Sequence, residues 1–181
     1  DGTVITDISN YITAIGSDGD IVLPSGVQQA HLSGSNDATI TGNNLDNWLS
    51  GNSGNNTFNG GQGNDFIVDE SDSDDTYIYN LGDGYDTIHD HGGFDKIKFG
   101  AGITKENLVF IRHTDGNLFI NLVNENGEIL DGNICIKDYF NNEDNKIEKI
   151  EFADGSSIYD FESKVKTIAG DGDISNWYGY K

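Results

Sequence analysis

From residue 42 to residue 98 single apolar residues stand at near-constant intervals in a background of Gly, Asn and Asp. Written in nines, the stretch reads Gly42–Ser50, Gly51–Asn59 and Gly60–Val68, and the eighth place is apolar each time, as Leu49, Phe58 and Ile67. An acidic insertion, Asp69–Asp74, interrupts the count, after which Tyr77, Ile88 and Ile97 continue the apolar column. A period of this length predicts units of one turn and one short strand, none of which can bury its apolar face without its neighbours.

The flanks have a different rhythm. Residues 1–41 alternate short β-prone runs, Thr3–Thr6, Ile21–Leu23 and Ala38–Thr41, with Gly, Ser, Asp and Asn, and predict stacked strands or a β cap leading into the repeats. Residues 99–181 predict an antiparallel β region. Leu108–Arg112 and Leu118–Val123 flank an Asp115-Gly116 hairpin signal, with further strands near Ile134–Ile136, Ile147–Phe152 and Ile158-Tyr159. Phe161, Val165 and Ile168 share a face of one short helix over 160–168, and the tail from Gly170 is expected to be loose or completed by another domain. Three parts follow: 1–41, 42–98 and 99–181.

Charge narrows the function. Thirty-one Asp and Glu against 10 Lys and Arg give a formal charge of -21, which repels nucleic acid and anionic membrane surfaces and attracts cations. No apolar run is long enough for a membrane span. Cys135 is the only cysteine, so no internal disulfide can stabilise the chain, and outside the cell its stability must come from metal, packing or neighbouring domains, a gap that calcium fits. The absence of Met and of a leader pattern leads us to expect a piece of a longer polypeptide.

The acids are not scattered. The sixth place of each unit holds Asn47, Asn56, Asp65, Asp75, Asp86 and Asp95, at the end of a glycine-rich turn. Glycine lets a turn point carbonyl groups inward at positive φ, and an acid at its end supplies charge. Six to eight oxygens in irregular geometry suit calcium better than zinc or copper. The cofactor expected from this chemistry is therefore Ca2+, as several ions.

Gly60-Gly61-Gln62-Gly63-Asn64-Asp65-Phe66-Ile67-Val68 fits G-G-x-G-x-D-x-U-x, where U is a large apolar residue, so the chain resembles the repeats-in-toxin or haemolysin-type calcium-binding family. Phe99–Thr104, Asp138–Phe140 and Ile147–Gly155 are similar to the segment that follows such repeats. The resemblance implies an all-β fold, a right-handed parallel β-roll followed by an antiparallel β capping region, with each calcium between two turns on one edge. Carried over to this chain, Asn47, Asp65 and Asp86 would line one edge and Asn56, Asp75 and Asp95 the other. The carbonyls of Gly61, Gly63, Gly82 and Gly84 would be backbone ligands. Asn at 47 and 56 offers a neutral oxygen, so those sites should be weaker or empty, and Asp72 or Asp74 of the insertion is expected to contribute in part.

The resemblance also implies type I secretion of an unfolded chain that folds on extracellular calcium, outside the cell or on a bacterial surface. On that reading the module is not an enzyme, and it serves the export and stability of a larger toxin or adhesin. A calcium-dependent glycan- or peptide-binding module is the alternative, using exposed aromatics such as Trp48, Trp177, Tyr178 and Tyr180. His89-Asp90-His91 is the one sequence that suggests zinc, but a third ligand is not evident nearby. Cys135, between Ile134 and Ile136, reads as a buried small hydrophobe.

Overall fold

A computed structural model describes residues 14–159 and 161–167. The expected strand Thr3–Thr6 and the tail with Trp177, Tyr178 and Tyr180 lie outside the described residues. Within them the chain winds as short strands: β1 (Ala14–Ser17), β2 (Ile21–Val22), β3 (Gln29–Leu32), β4 (Thr39–Thr41), β5 (Trp48–Ser50), β6 (Thr57–Asn59), β7 (Phe66–Val68), β8 (Thr76–Tyr79), β9 (Tyr85–His89) and β10 (Lys96–Phe99). Odd-numbered strands pair in parallel in one sheet and even-numbered strands in another. Each pair of strands is thus one coil of a parallel β-roll.

The apolar column dictates this arrangement. In a three-residue strand only the central side chain points inward, because successive side chains alternate faces. The column therefore divides between the sheets. Leu49, Ile67 and Ile88 stand in register on one side, and Ile40, Phe58, Tyr77 and Ile97 on the other. All seven are buried, and Phe58 stacks on Tyr77 with ring centroids 5.3 Å apart. Burying a side chain of this size contributes roughly 1.5–3 kcal/mol, so the column is a large part of what holds neighbouring coils together.

The C-terminal region joins the roll as well as capping it. It contains β11 (Leu108–Arg112), β12 (Leu118–Val123), β13 (Ile129–Ile136), β14 (Lys149–Glu151), β15 (Ser157–Ile158) and β16 (Lys166–Thr167). The expected antiparallel pairings are present: β11 with β12, β12 with β13, and β14 with β15. In addition β13 pairs in parallel with β9, and β14 in parallel with β10. Ile136 and Ile150 thereby extend the two apolar columns by one more coil. Instead of the short helix expected over 160–168 there is a 3-10 turn at Glu162–Lys164, followed by β16. Phe161 is drawn into the core, stacked on Phe110 at 5.3 Å, and Val165 is partly buried against the same core. No helix of the described residues is long and apolar enough to cross a membrane.

Candidate metal centre

The sixth-place residue stands just before its strand, or in the case of Asp86 within the first residues of β9, and the parallel stacking sets these residues above one another. The Asn47 N–H donates to Asp65 Oδ1 (2.7 Å), and the Asp65 N–H to Asp86 Oδ1 (3.0 Å). On the opposite edge the Asn56 N–H donates to Asp75 Oδ1 (2.7 Å), and the Asp75 N–H to Asp95 Oδ1 (2.7 Å). The Asp95 N–H donates in turn to Glu148 Oε2 (2.7 Å), so Glu148 ends this ladder. Glu148 was not anticipated. Its signal is an acid two places before an inward apolar residue, Glu148-x-Ile150, the same spacing as Asp95-x-Ile97.

The two halves of the roll satisfy these groups differently. Asn47 Oδ1 accepts from the Asn43 N–H (2.8 Å), and its amide donates to Asn43 Oδ1 (3.2 Å). Asn56 and Asn52 repeat this pair at 2.9 Å in both directions. The Asn43 and Asn52 amides then donate to carbonyls of the coil before, Pro24 and Val27 for one, Ser33 and Asn36 for the other. The asparagine turns are closed by their own hydrogen bonds.

The aspartate turns are not. One carboxylate oxygen of each accepts a ladder hydrogen bond, while Asp65 Oδ2, Asp75 Oδ2 and Asp95 Oδ2 are buried with no hydrogen-bond partner. A buried unpaired carboxylate oxygen costs several kcal/mol unless a proton or cation compensates it. Burial pushes the Asp65 carboxyl up to about 7 and that of Asp86 to about 8, with repulsion from neighbouring acids adding to each. Burial likewise raises Asp75 and Asp95, which repel each other across the stack.

Two further buried acids, Asp69 and Asp90, take the first place of their units. Asp69 Oδ1 is held by the Ser71 N–H (2.9 Å) and Oγ (2.6 Å), and its Oδ2 is unpartnered. The Tyr77 hydroxyl donates to Asp90 Oδ2, and Asp90 Oδ1 is unpartnered. Carboxylate oxygens of Asp75, Asp90 and Asp95 lie within 4.8 Å of one another. Asp72 and Asp74 do not join them: both are exposed, and Asp74 Oδ1 accepts from the Phe94 N–H (2.9 Å). From the insertion, Ser73 Oγ donates to Asp75 Oδ1 (3.3 Å) and Ser71 Oγ to Asp69 Oδ1 (2.6 Å), while Asp74 holds the place before Asp75 that is exposed in other units as well, as at Asn55 and Asn64.

The turn glycines named above fall into two groups. Gly61, Gly63, Gly82 and Gly84 all have positive φ, between 89 and 126°, which only glycine adopts freely. The Gly84 carbonyl, however, accepts from the Tyr79 hydroxyl (2.6 Å) and the Asn133 N–H (3.0 Å). Both of its lone pairs are thereby engaged, so it is a poor candidate for a cation ligand. His89 ends β9, whereas His91 lies beyond the strand and is exposed, 4.0 Å from Asp72. Neither belongs to the one grouping of three metal-type side chains found among the described residues. Burial pushes the Cys135 thiol up to about 12, which leaves it a poor nucleophile at neutral pH.

An all-oxygen donor set with unpartnered, buried, anionic atoms suits a hard cation. Comparison with protein families agrees. Residues 33–68 match the RTX calcium-binding nonapeptide repeat (4 copies), and residues 117–159 match the haemolysin-type calcium binding protein related domain. Residues 33–68 are thus repeats-in-toxin calcium-binding repeats, and they lie within the parallel roll. A search of curated proteins found no match. The repeat match ends at Val68, so three of the four sixth-place aspartates, Asp75, Asp86 and Asp95, lie beyond it. There the sixth places stand ten and eleven residues apart before the spacing returns to nine between Asp86 and Asp95.

Proposed function

We propose that this roll is a calcium-triggered folding module of a larger secreted toxin or adhesin, and that extracellular calcium completes its C-terminal coils. The observation that carries the reading is the set of buried, unpartnered oxygens on Asp65, Asp75 and Asp95. Asp65 and Asp86, with the Gly61, Gly63 and Gly82 carbonyls, would hold calcium on one edge, and Asp75 and Asp95 on the other. Asn47 and Asn56, already satisfied, would add little. Without the cation these carboxylates repel one another and resist burial; with it they become ligands, so binding energy is folding energy. Each site saturated at ~100 times its dissociation constant contributes roughly 2.7 kcal/mol. Low calcium inside the cell and high calcium outside would then keep the chain unfolded during type I export and fold it afterwards.

Calcium calorimetry on the protein and on a variant with Asp65, Asp75, Asp86 and Asp95 changed to Asn tests this. More than one calcium bound by the protein, and none or a far weaker isotherm for the variant, is the expected result. Equal isotherms would overturn it. A second reading, calcium-dependent capture of a glycan or peptide, is favoured by one observation: Trp48 is 53% exposed, with its ring 4.8 Å from that of Phe66 on the outer face of the roll. Glycan and peptide arrays probed with calcium present test it, and binding that survives Trp48→Ala would contradict it.

A further inference from the structure

The first place of a unit is glycine at 42, 51 and 60, and the packing explains why. A Cβ added at Gly60 would run into the Asp65 carboxylate; one at Gly42 would meet the Gly60 carbonyl and then the Asn47 amide oxygen, and one at Gly51 the Asp69 carboxylate and then the Asn56 amide oxygen. The first-place Cβ direction points at the sixth-place side chain of the same turn. An acid at the first place therefore sets its carboxylate beside the sixth-place side chain, and this chain has two, Asp69 and Asp90, of which Asp90 is grouped with both Asp75 and Asp95.

We infer that Asp90 turns the Asp75–Asp95 turn pair into a three-carboxylate site that binds a hard cation more tightly than any other turn pair of the chain. Four observations support a built site. Asp75, Asp90 and Asp95 are at most 1% exposed. Each has one oxygen with no hydrogen-bond partner. Oxygens of the three lie within 4.8 Å of one another, about twice the 2.3–2.6 Å calcium–oxygen distance, so one ion can touch all three. The Tyr77 hydroxyl holds the other oxygen of Asp90, which makes Tyr77 a positioning residue. Three carboxylates exceed a divalent ion by one negative charge and balance a trivalent lanthanide, so the site should rank terbium above calcium. Across the roll, the first place of the Asp86 turn is Leu81, and the buried acid nearby, Asp83, is engaged at Oδ2 by the Asn80 N–H (2.7 Å) and side-chain amide (3.1 Å).

This inference rests on the calcium reading, and terbium luminescence excited through tyrosine separates the two. The Tyr77 ring is bonded to the site, so the first terbium equivalent should give sensitised emission, which added calcium reverses. Asp90→Asn should weaken that first equivalent by about tenfold or more, since charge count tunes affinity at such sites. Asp90→Gly, which restores the usual first-place residue, should do the same and keeps the test valid if the Asn variant fails to fold. Tyr77→Phe should lose the emission while calorimetry still records terbium binding with reduced affinity. If both Asp90 variants bind the first equivalent as tightly as the parent, the inference is wrong and the calcium reading stands. If the parent binds neither ion, the calcium reading itself fails.

Discussion

Raising the pH in cation-free buffer should unfold the C-terminal half of the roll. Asp86 is the clearest group, because burial holds its carboxyl at about 8 against an ordinary 3.8. Its folded form keeps a proton that the unfolded form releases, so its stabilising effect is complete below about pH 4 and is lost as pH rises to about 8. At 1.36 kcal/mol per pH unit the loss from Asp86 alone is about 5 kcal/mol. Asp65, raised to about 7, adds in the same direction, although the two repel each other and their effects do not simply sum. A domain of this size has roughly 5–15 kcal/mol of stability in all, so these two groups decide whether the cation-free roll is folded at pH 8. Urea unfolding at pH 4.5, 6 and 8 in buffer stripped of divalent ions measures this. The midpoint should fall steadily with pH without calcium, and this fall should be abolished or reversed with millimolar calcium. A cation-free midpoint that rises from pH 4.5 to 8 would refute the reasoning, because it would mean these carboxylates are stabilised as anions without any ion.

Other changes should separate hydrogen bonding from metal binding. Asn56→Ala removes the pair with Asn52 and should cost roughly 1–3 kcal/mol by urea unfolding, equally with calcium at pH 7.5 and without it at pH 4.5. Gly60→Ala drives a methyl group into the Asp65 carboxylate and should cost roughly 1–3 kcal/mol, with weaker calcium binding by calorimetry at that edge. Glu148→Ala leaves the buried end of the Asp95 ladder without its acceptor and should lower the calcium-loaded melting temperature, for a cost of roughly 1–3 kcal/mol.

Much of the roll was legible because its signals are local. The apolar column, the turn glycines and the sixth-place residues sit at fixed offsets, and parallel stacking converts those offsets directly into two sheets. The lengthened units around Tyr77 and Ile88 did not disturb this, since the extra residues are taken up in turns. What escaped was non-local or lay against the consensus. The parallel pairing of β13 with β9 joins residues about fifty apart, and nothing near Ile134 announces it. Asp69 was hidden inside an acidic run, and Asp90 between two histidines that suggested zinc. Counting back five places from Asp95 marks Asp90, whereas the extra residue before Asp75 puts Glu70 at that count and hides Asp69, which is found only by counting forward from Val68. The self-sufficiency of the Asn turns depends on a second asparagine four residues earlier, Asn43 for Asn47 and Asn52 for Asn56, a spacing visible in the sequence only once the turn geometry is known.

The most direct test of the account is far-ultraviolet circular dichroism at pH 7.5, first with chelator and then through a calcium titration. The account predicts a largely unstructured spectrum that converts to β-sheet in a single saturable transition. A chain with the same β-sheet spectrum in chelator and in calcium would contradict it.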